Sequence, residues 1–188
     1  REAQIELALE RVRARTMAML HSNELAETVA VMFEQFKALG EEPERMAIEI
    51  VNEKEHVFDI WATQHGGSQL SELVQISLDE PHVMKKMYKA WKEKTKSITI
   101  DLQGNELEAY FQFLKKAGLP VQRKIFGKRR VQNVATFSKG ILTIITPEPR
   151  PQETIQLLER FAAVFDGTYT RFFDLQNAEA QAREGQIE

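Results

Sequence analysis

The sequence predicts an α+β domain, with an antiparallel sheet of about five strands, flanking helices and a long helix at each end. Three observations carry this. Alternating apolar runs stand on either side of the polar turn at residues 52–55, and again on either side of Lys139-Gly140, so each set forms a hairpin. Helix-period stretches precede, separate and follow these hairpins. After Pro147, Pro149 and Pro151 the chain has no further strand signal and runs helical to its end.

Each element has a local reason. Residues 1–20 place Ile5, Leu9, Val12, Thr16 and Met19 at four-three spacing, with Glu2, Glu6 and Glu10 early and Arg11, Arg13 and Arg15 late, as the helix dipole favours. Ser22 suits the N-cap of a second helix, which buries Leu25, Val29, Met32, Phe33 and Phe36 and stops at Gly40. Met46, Ile48 and Ile50 alternate in a first strand, and Phe58, Ile60 and Ala62 in a second. His65-Gly-Gly-Ser68 is a loop, and Leu73 to Leu78 a third strand. Pro81 opens a helix to about Thr95, since proline fits a first helical turn. Ser97 to Leu102 are β-rich. Asn105 and Glu108 have capping-box spacing for a helix ending at Gly118. Arg130 to Ser138 and Ile141 to Thr146 form the second hairpin.

The chain has 188 residues, 43% hydrophobic and 28% charged, with a net charge of −3. One domain with helical extensions is the natural count. The acidic balance gives no electrostatic footprint for nucleic acid. Cysteine is absent, which removes disulfides, thiolate metal sites and thioether-linked chromophores, and fits a cytoplasmic location. No apolar run is long enough to span a bilayer, so no direct membrane contact is expected.

Several segments are similar to a known family. Leu9-Glu-Arg-Val-Arg-Ala-Arg-Thr-Met-Ala-Met19 resembles the leading helix of the GAF-like domains found in tandem in bacterial sensor histidine kinases. So do Ile60-Trp61, Ile98-Thr-Ile-Asp-Leu102, Val131 to Gly140, Tyr169-Thr-Arg-Phe172 and Asp174 to Arg183. The resemblance covers nearly the whole chain. It implies the GAF fold, a sensory or dimerising role, and a kinase or similar output elsewhere in a larger protein. The cyclic-nucleotide signature Asn-Lys-X-Phe-Asp-Glu is absent, and no phosphotransfer or ATP-binding signature occurs.

Glu49, Asp59 and Trp61 are the candidate ligand residues. If the apolar faces of the first two strands coincide, Glu49 lies across from Asp59 with Trp61 beside them, and Asn133 can join from a neighbouring strand. Two carboxylates by an aromatic suit a cationic or hydroxyl-rich small molecule, whereas the plainer reading is a solvated outer face. A register slip of one residue would undo the group. His21, His56, His65 and His82 lack metal-ligand spacing, so no metal or haem is expected. Arg123, Lys124, Lys128, Arg129 and Arg130 form a basic loop interrupted by Phe126-Gly127, best read as solvated or as touching an acidic neighbouring domain. No nucleophile–base arrangement can be defended, and the chain is not expected to be an enzyme.

The last helix carries Ile155, Leu158, Ala162, Phe165, Tyr169 and Phe172 in three-four alternation. Beyond Tyr169 little domain is expected for it to pack on. Ile5, Leu9, Val12, Met19, Phe165, Tyr169 and Phe172 are therefore the expected dimer and relay residues. Arg183-Glu-Gly-Gln-Ile-Glu188 matches Arg1-Glu-Ala-Gln-Ile-Glu6 at five of six positions, which suggests a following unit joined by a continuous helix. The expected layout is a signalling helix over 1–20, a GAF-like domain over 21–168 and a coiled-coil linker over 169–188. The expected function is a non-catalytic relay module of a multidomain signalling protein, with itself, adjacent domains and a small molecule as partners. The alternative is a spacer and dimerisation domain that binds no ligand.

Overall fold

The computed structural model describes residues 1–67, 73–119 and 121–187, so Ser68 and Glu188 lie outside the described residues. Helix α1 spans Glu2–Met17 and α2 Leu25–Ala38. The strands are β1 Arg45–Asn52, β2 Val57–Ala62, β3 Val74–Ser77, β4 Ser97–Gln103, β5 Arg129–Phe137 and β6 Gly140–Thr146. Helices α3 Met84–Lys92, α4 Gly104–Lys116 and the short α5 Arg123–Phe126 lie between β3 and β5, and α6 runs from Gln152 to Ile187. Among the described residues the sheet has six strands, all antiparallel, in the order β3-β2-β1-β6-β5-β4. The sixth, relative to the expected five, is Ser97–Gln103, which pairs along its whole length with β5.

The sheet divides two apolar cores. On one face α1, α2 and α6 cover Met46, Ile48, Ile50, Ala135, Leu142 and Ile144. On the other, α3, α4 and α5 cover Ala47, Phe58, Ile60, Ile76, Val134 and Ile141. Covering both faces explains why β1 and β6 carry few polar residues. Ile48, Ile50, Phe58 and Ile60 are all buried as expected, but Phe58 and Ile60 face α3 and α4 instead of the terminal helices.

That split follows from the first hairpin. The observed pairs are Ile48 with Trp61, Glu49 with Ile60 and Ile50 with Asp59. The polar turn is residues 53–56, because Asn52 still pairs with Val57. Glu55 N donates to Asn52 Oδ1 at 3.1 Å, and His56 takes a φ of 56°. Pairing Glu49 with Asp59 needs a turn of three or five residues, so the four-residue turn at 53–56 moves the register by one, and a one-residue slip exchanges faces.

Two caps differ from expectation. The Pro81 segment is a turn, and α3 begins three residues later. The Glu80 carboxylate accepts from His82 N, Val83 N and Met84 N at 2.7, 2.7 and 3.0 Å, satisfying donors that a helix start leaves open. Glu108 does not close a capping box, because it binds Arg123 and Gln112 instead. The expected Ser22 cap falls on a side chain outside those described. Gly140 is required: a Cβ there would stand 2.1 Å from the Glu49 carbonyl oxygen.

Helices α1 and α6 run side by side in the same direction. Arg160 binds Glu2 at 2.8 Å and Glu6 at 2.7 Å, and sixteen residues later Gln176 Nε2 donates to Leu20 O at 2.9 Å. Leu9, Val12, Met19, Phe165, Tyr169 and Phe172 are all buried between them and the sheet within one chain, and Ile5 packs at the edge. The partner helix that α6 needs is therefore α1 of the same chain, and α6 continues unbroken through residue 169. No described helix is long and apolar enough to cross a membrane.

Candidate functional site

A cavity of about 420 Å³ lies between the sheet and the layer of α3, α4 and α5. Its floor is the second face of the sheet. Arg45, Ala47 and Glu49 alternate along β1, Ile60 and Ala62 come from β2, and Arg130 and Gln132 from β5. Its roof carries Met84, Tyr110, Leu114, Ile125 and Phe126. Val74 and Ile76 close one side.

Three charged residues in it each carry a buried polar atom without a hydrogen-bond partner. Glu49 is 3% exposed and its Oε2 has no hydrogen-bond partner. Arg130 is 8% exposed and its Nε has none, and Arg45 Nε is also buried and unpaired. Among the described residues, neither guanidinium is ion-paired with a carboxylate, and Glu49 is not ion-paired with a cation. Folded proteins leave few such groups, because each costs about 1–3 kcal/mol when buried unsatisfied.

Burial sets the protonation of these groups. It pushes the Glu49 carboxyl up to about 7, and the Thr143 hydroxyl beside it works the other way. It pushes Arg130 down to about 10, so the guanidinium stays charged at neutral pH. The Arg45 guanidinium is also lowered by burial, with Glu44 opposing. The Tyr110 hydroxyl is raised well above its ordinary range by burial and stays neutral.

Of the four expected ligand residues, only Glu49 reaches the cavity. Asp59 and Trp61 point to the opposite face because of the register shift. Asp59 accepts from Asn52 Nδ2 at 3.2 Å and Gln75 Nε2 at 2.7 Å, and Trp61 packs against the core under α2. Asn133 shares the face of its partner Ile144 and donates to Ile144 O and Thr146 Oγ1 at 3.1 and 3.0 Å. Arg45, Arg130, Gln132, Tyr110 and His65 were not anticipated. A signal for two of them existed, since Arg130 and Gln132 alternate with Val131 and Asn133 once the strand is taken to begin at Arg129.

The basic loop separates into individual roles. Arg123 binds Glu108 and lies 3.9 Å over the Phe111 ring, and Arg129 forks onto Asp101 at 3.0 and 2.6 Å. Arg130 turns inward and stacks 4.5 Å over Phe126. Lys124 and Lys128 line a second, adjoining hollow that shares His65, Gln122, Ile125 and Phe126 with the cavity. Among the described residues no three metal-capable side chains come together.

A similar fold occurs in solved structures. The GAF domain of an Acinetobacter phosphoenolpyruvate-protein phosphotransferase superposes with a TM-score of 0.55 at 14% identity, over 88% of this chain and 92% of that one. The fold is GAF-like. A GAF domain of A. aeolicus in an inactive state gives 0.53 at 13% identity, over 93% and 98%. A methyl-accepting chemotaxis protein segment gives 0.55 at 14% identity, over 88% and 97%. At such identities the likeness concerns the fold. No protein-family profile matches the chain, and no curated protein does.

Proposed function

We propose that this GAF-like domain is a non-catalytic, ligand-responsive relay module of a larger signalling protein. The observation that carries the reading is the cavity with buried, unpartnered Glu49 and Arg130. A small molecule that satisfies them recovers the free energy they cost unpaired. The names of the neighbouring structures, a phosphotransferase and a chemotaxis protein, support a regulatory setting. The segment resemblances favour a sensor histidine kinase as the parent, with a cytoplasmic domain of this kind between its input and output.

A physical route joins the cavity to the terminal helices. Met84 of α3 lines the cavity, and Trp91 two turns later donates from Nε1 to Phe137 O at 3.0 Å. The Phe137 ring lies on the other face, edge-on to Phe165 at 5.2 Å and Tyr169 at 6.5 Å. Beside it, Ser138 Oγ donates to Asp166 Oδ1 at 2.5 Å. A ligand that shifts α3 thus acts on the β5–β6 turn and on α6. The mechanism is a population shift between two helix packings.

Self-association belongs to the same proposal, on different residues from those expected. Ala3, Leu7, Glu10, Ala14 and Met17 are all exposed on α1 at four-three spacing. Leu7 and Met17 are 53% and 64% exposed. That stripe is the one left for a second copy once the inner stripe is used within the chain.

The test is a thermal-shift screen of small molecules followed by hydrogen exchange. A ligand at a hundredfold excess over its Kd adds about 2.7 kcal/mol. Exchange in residues 165–187 should change when the cavity is filled. In Trp91→Phe the thermal shift should persist while the exchange response weakens. No stabilising compound from a broad screen would leave the spacer reading, and binding without any response in α6 would remove the relay.

A further inference from the structure

The charge layout of the cavity narrows the class of ligand, on the reading that the cavity binds one. We propose that it takes a small organic acid with an apolar body, whose carboxylate is held by Arg130 and Arg45. Both arginines lie at one end of the cavity floor. Arg45 opens β1 opposite Ile145 of β6, and Ile145 in turn faces Gln132, two residues from Arg130 on the same face of β5. The Phe126 ring covers one face of the Arg130 guanidinium, which leaves its edge free for a planar, two-oxygen partner. Arg45 and Arg130 repel one another, and an anion placed between them offsets the repulsion and accepts from the unpaired Nε donors.

The rest of the cavity argues for a single negative charge. Ile60, Ile76, Met84 and Leu114 line it with hydrocarbon. Glu49 lies four residues along β1 from Arg45, about 13 Å at strand rise. At that position its carboxyl suits a hydroxyl or amide group of the ligand and disfavours a second anion. The approach is basic. Lys124, Lys128 and Arg129 border the adjoining hollow against Glu44 alone, and Arg129 is already engaged by Asp101. Such a surface gathers anions.

The experiment titrates the whole chain with hexanoate, 1-hexanol, hexylamine and hexyl phosphate, using calorimetry and thermal shift. Hexanoate should bind at least tenfold more tightly than the alcohol or the amine, and more tightly than the phosphate ester. Arg130→Met should abolish that preference and leave the alcohol's affinity unchanged. Arg45→Met, at a half-buried site, provides the same readout if the first variant does not fold. Equal binding of acid and alcohol, or a preference for amine or phosphate, overturns the organic-acid assignment while the cavity remains a ligand site. Binding of none of the four, with no hit in the broader screen, removes both.

Discussion

Glu49 is the residue whose chemistry depends most on where the chain puts it. Its carboxyl stands at about 7 in the fold, against an ordinary 4.5, because burial penalises the charge. The folded state therefore holds this proton more tightly than the unfolded chain. The stability it contributes is complete below about pH 4.5 and is lost as pH rises through 7, on the order of 3 kcal/mol in all. Arg130, at about 10, and Tyr110, raised further, do not titrate in that window. Glu49→Gln should flatten this slope, leaving stability near pH 5 little changed and raising it at pH 8. Urea denaturation at the two pH values measures it, and an unchanged slope in the variant would assign the pH dependence to other groups.

Among the elements, the parallel pair of α1 and α6 decides what the terminal helices can do. Their inner stripes are filled by the sheet, by α2 and by each other, with Phe36 of α2 edge-on to Phe161 of α6 at 4.5 Å and Tyr169 stacked on Phe165 within α6 at 5.1 Å. Phe161→Ala should cost about 3–5 kcal/mol, since the ring is fully buried. Arg160→Ala should change stability little, because its carboxylate partners Glu2 and Glu6 are solvent-exposed. Thermal melts of the two variants separate the core packing that holds α6 from the surface charge that joins it to α1. Past Gln176, α6 extends about 16 Å to Ile187 at 1.5 Å per residue, with exposed side chains on nearly every position.

At the scale of the whole molecule, one sheet separates a ligand-type cavity from the helices that would carry a signal. The two faces share β1, β5 and β6, so under the proposed relay a shift on one face would reach the other through the same backbone. The exposed stripe on α1 sets the assembly prediction. Leu7→Glu with Met17→Glu should leave the fold intact and reduce self-association measured by analytical ultracentrifugation. A dimer unaffected by the double substitution would place the contact elsewhere, and a wild-type strict monomer would end the self-association reading.

The sequence by itself determined the class of the fold, the order of nearly all elements and the burial of their apolar stripes. Those follow from local periodicity, proline and glycine placement, and the need to cover apolar faces, all of which act over a few residues. It also pointed to Glu49, a carboxylate within an apolar strand. The tertiary structure alone decided which partners those stripes meet. The part of α6 beyond Tyr169 looked unpartnered because a sequence cannot say that α1, some 150 residues away, returns beside it. Three of the four expected ligand residues lie away from the cavity, and for Asp59 and Trp61 the reason is related. β2 carries apolar residues on both faces, Trp61 on one and Phe58 and Ile60 on the other, so its pattern tolerates either register, and the four-residue turn 53–56 made the choice. That choice sent Asp59 and Trp61 to the far face and left Glu49 in a cavity with Arg45 and Arg130, a grouping produced by strand pairing and visible only once β1, β6 and β5 lie side by side.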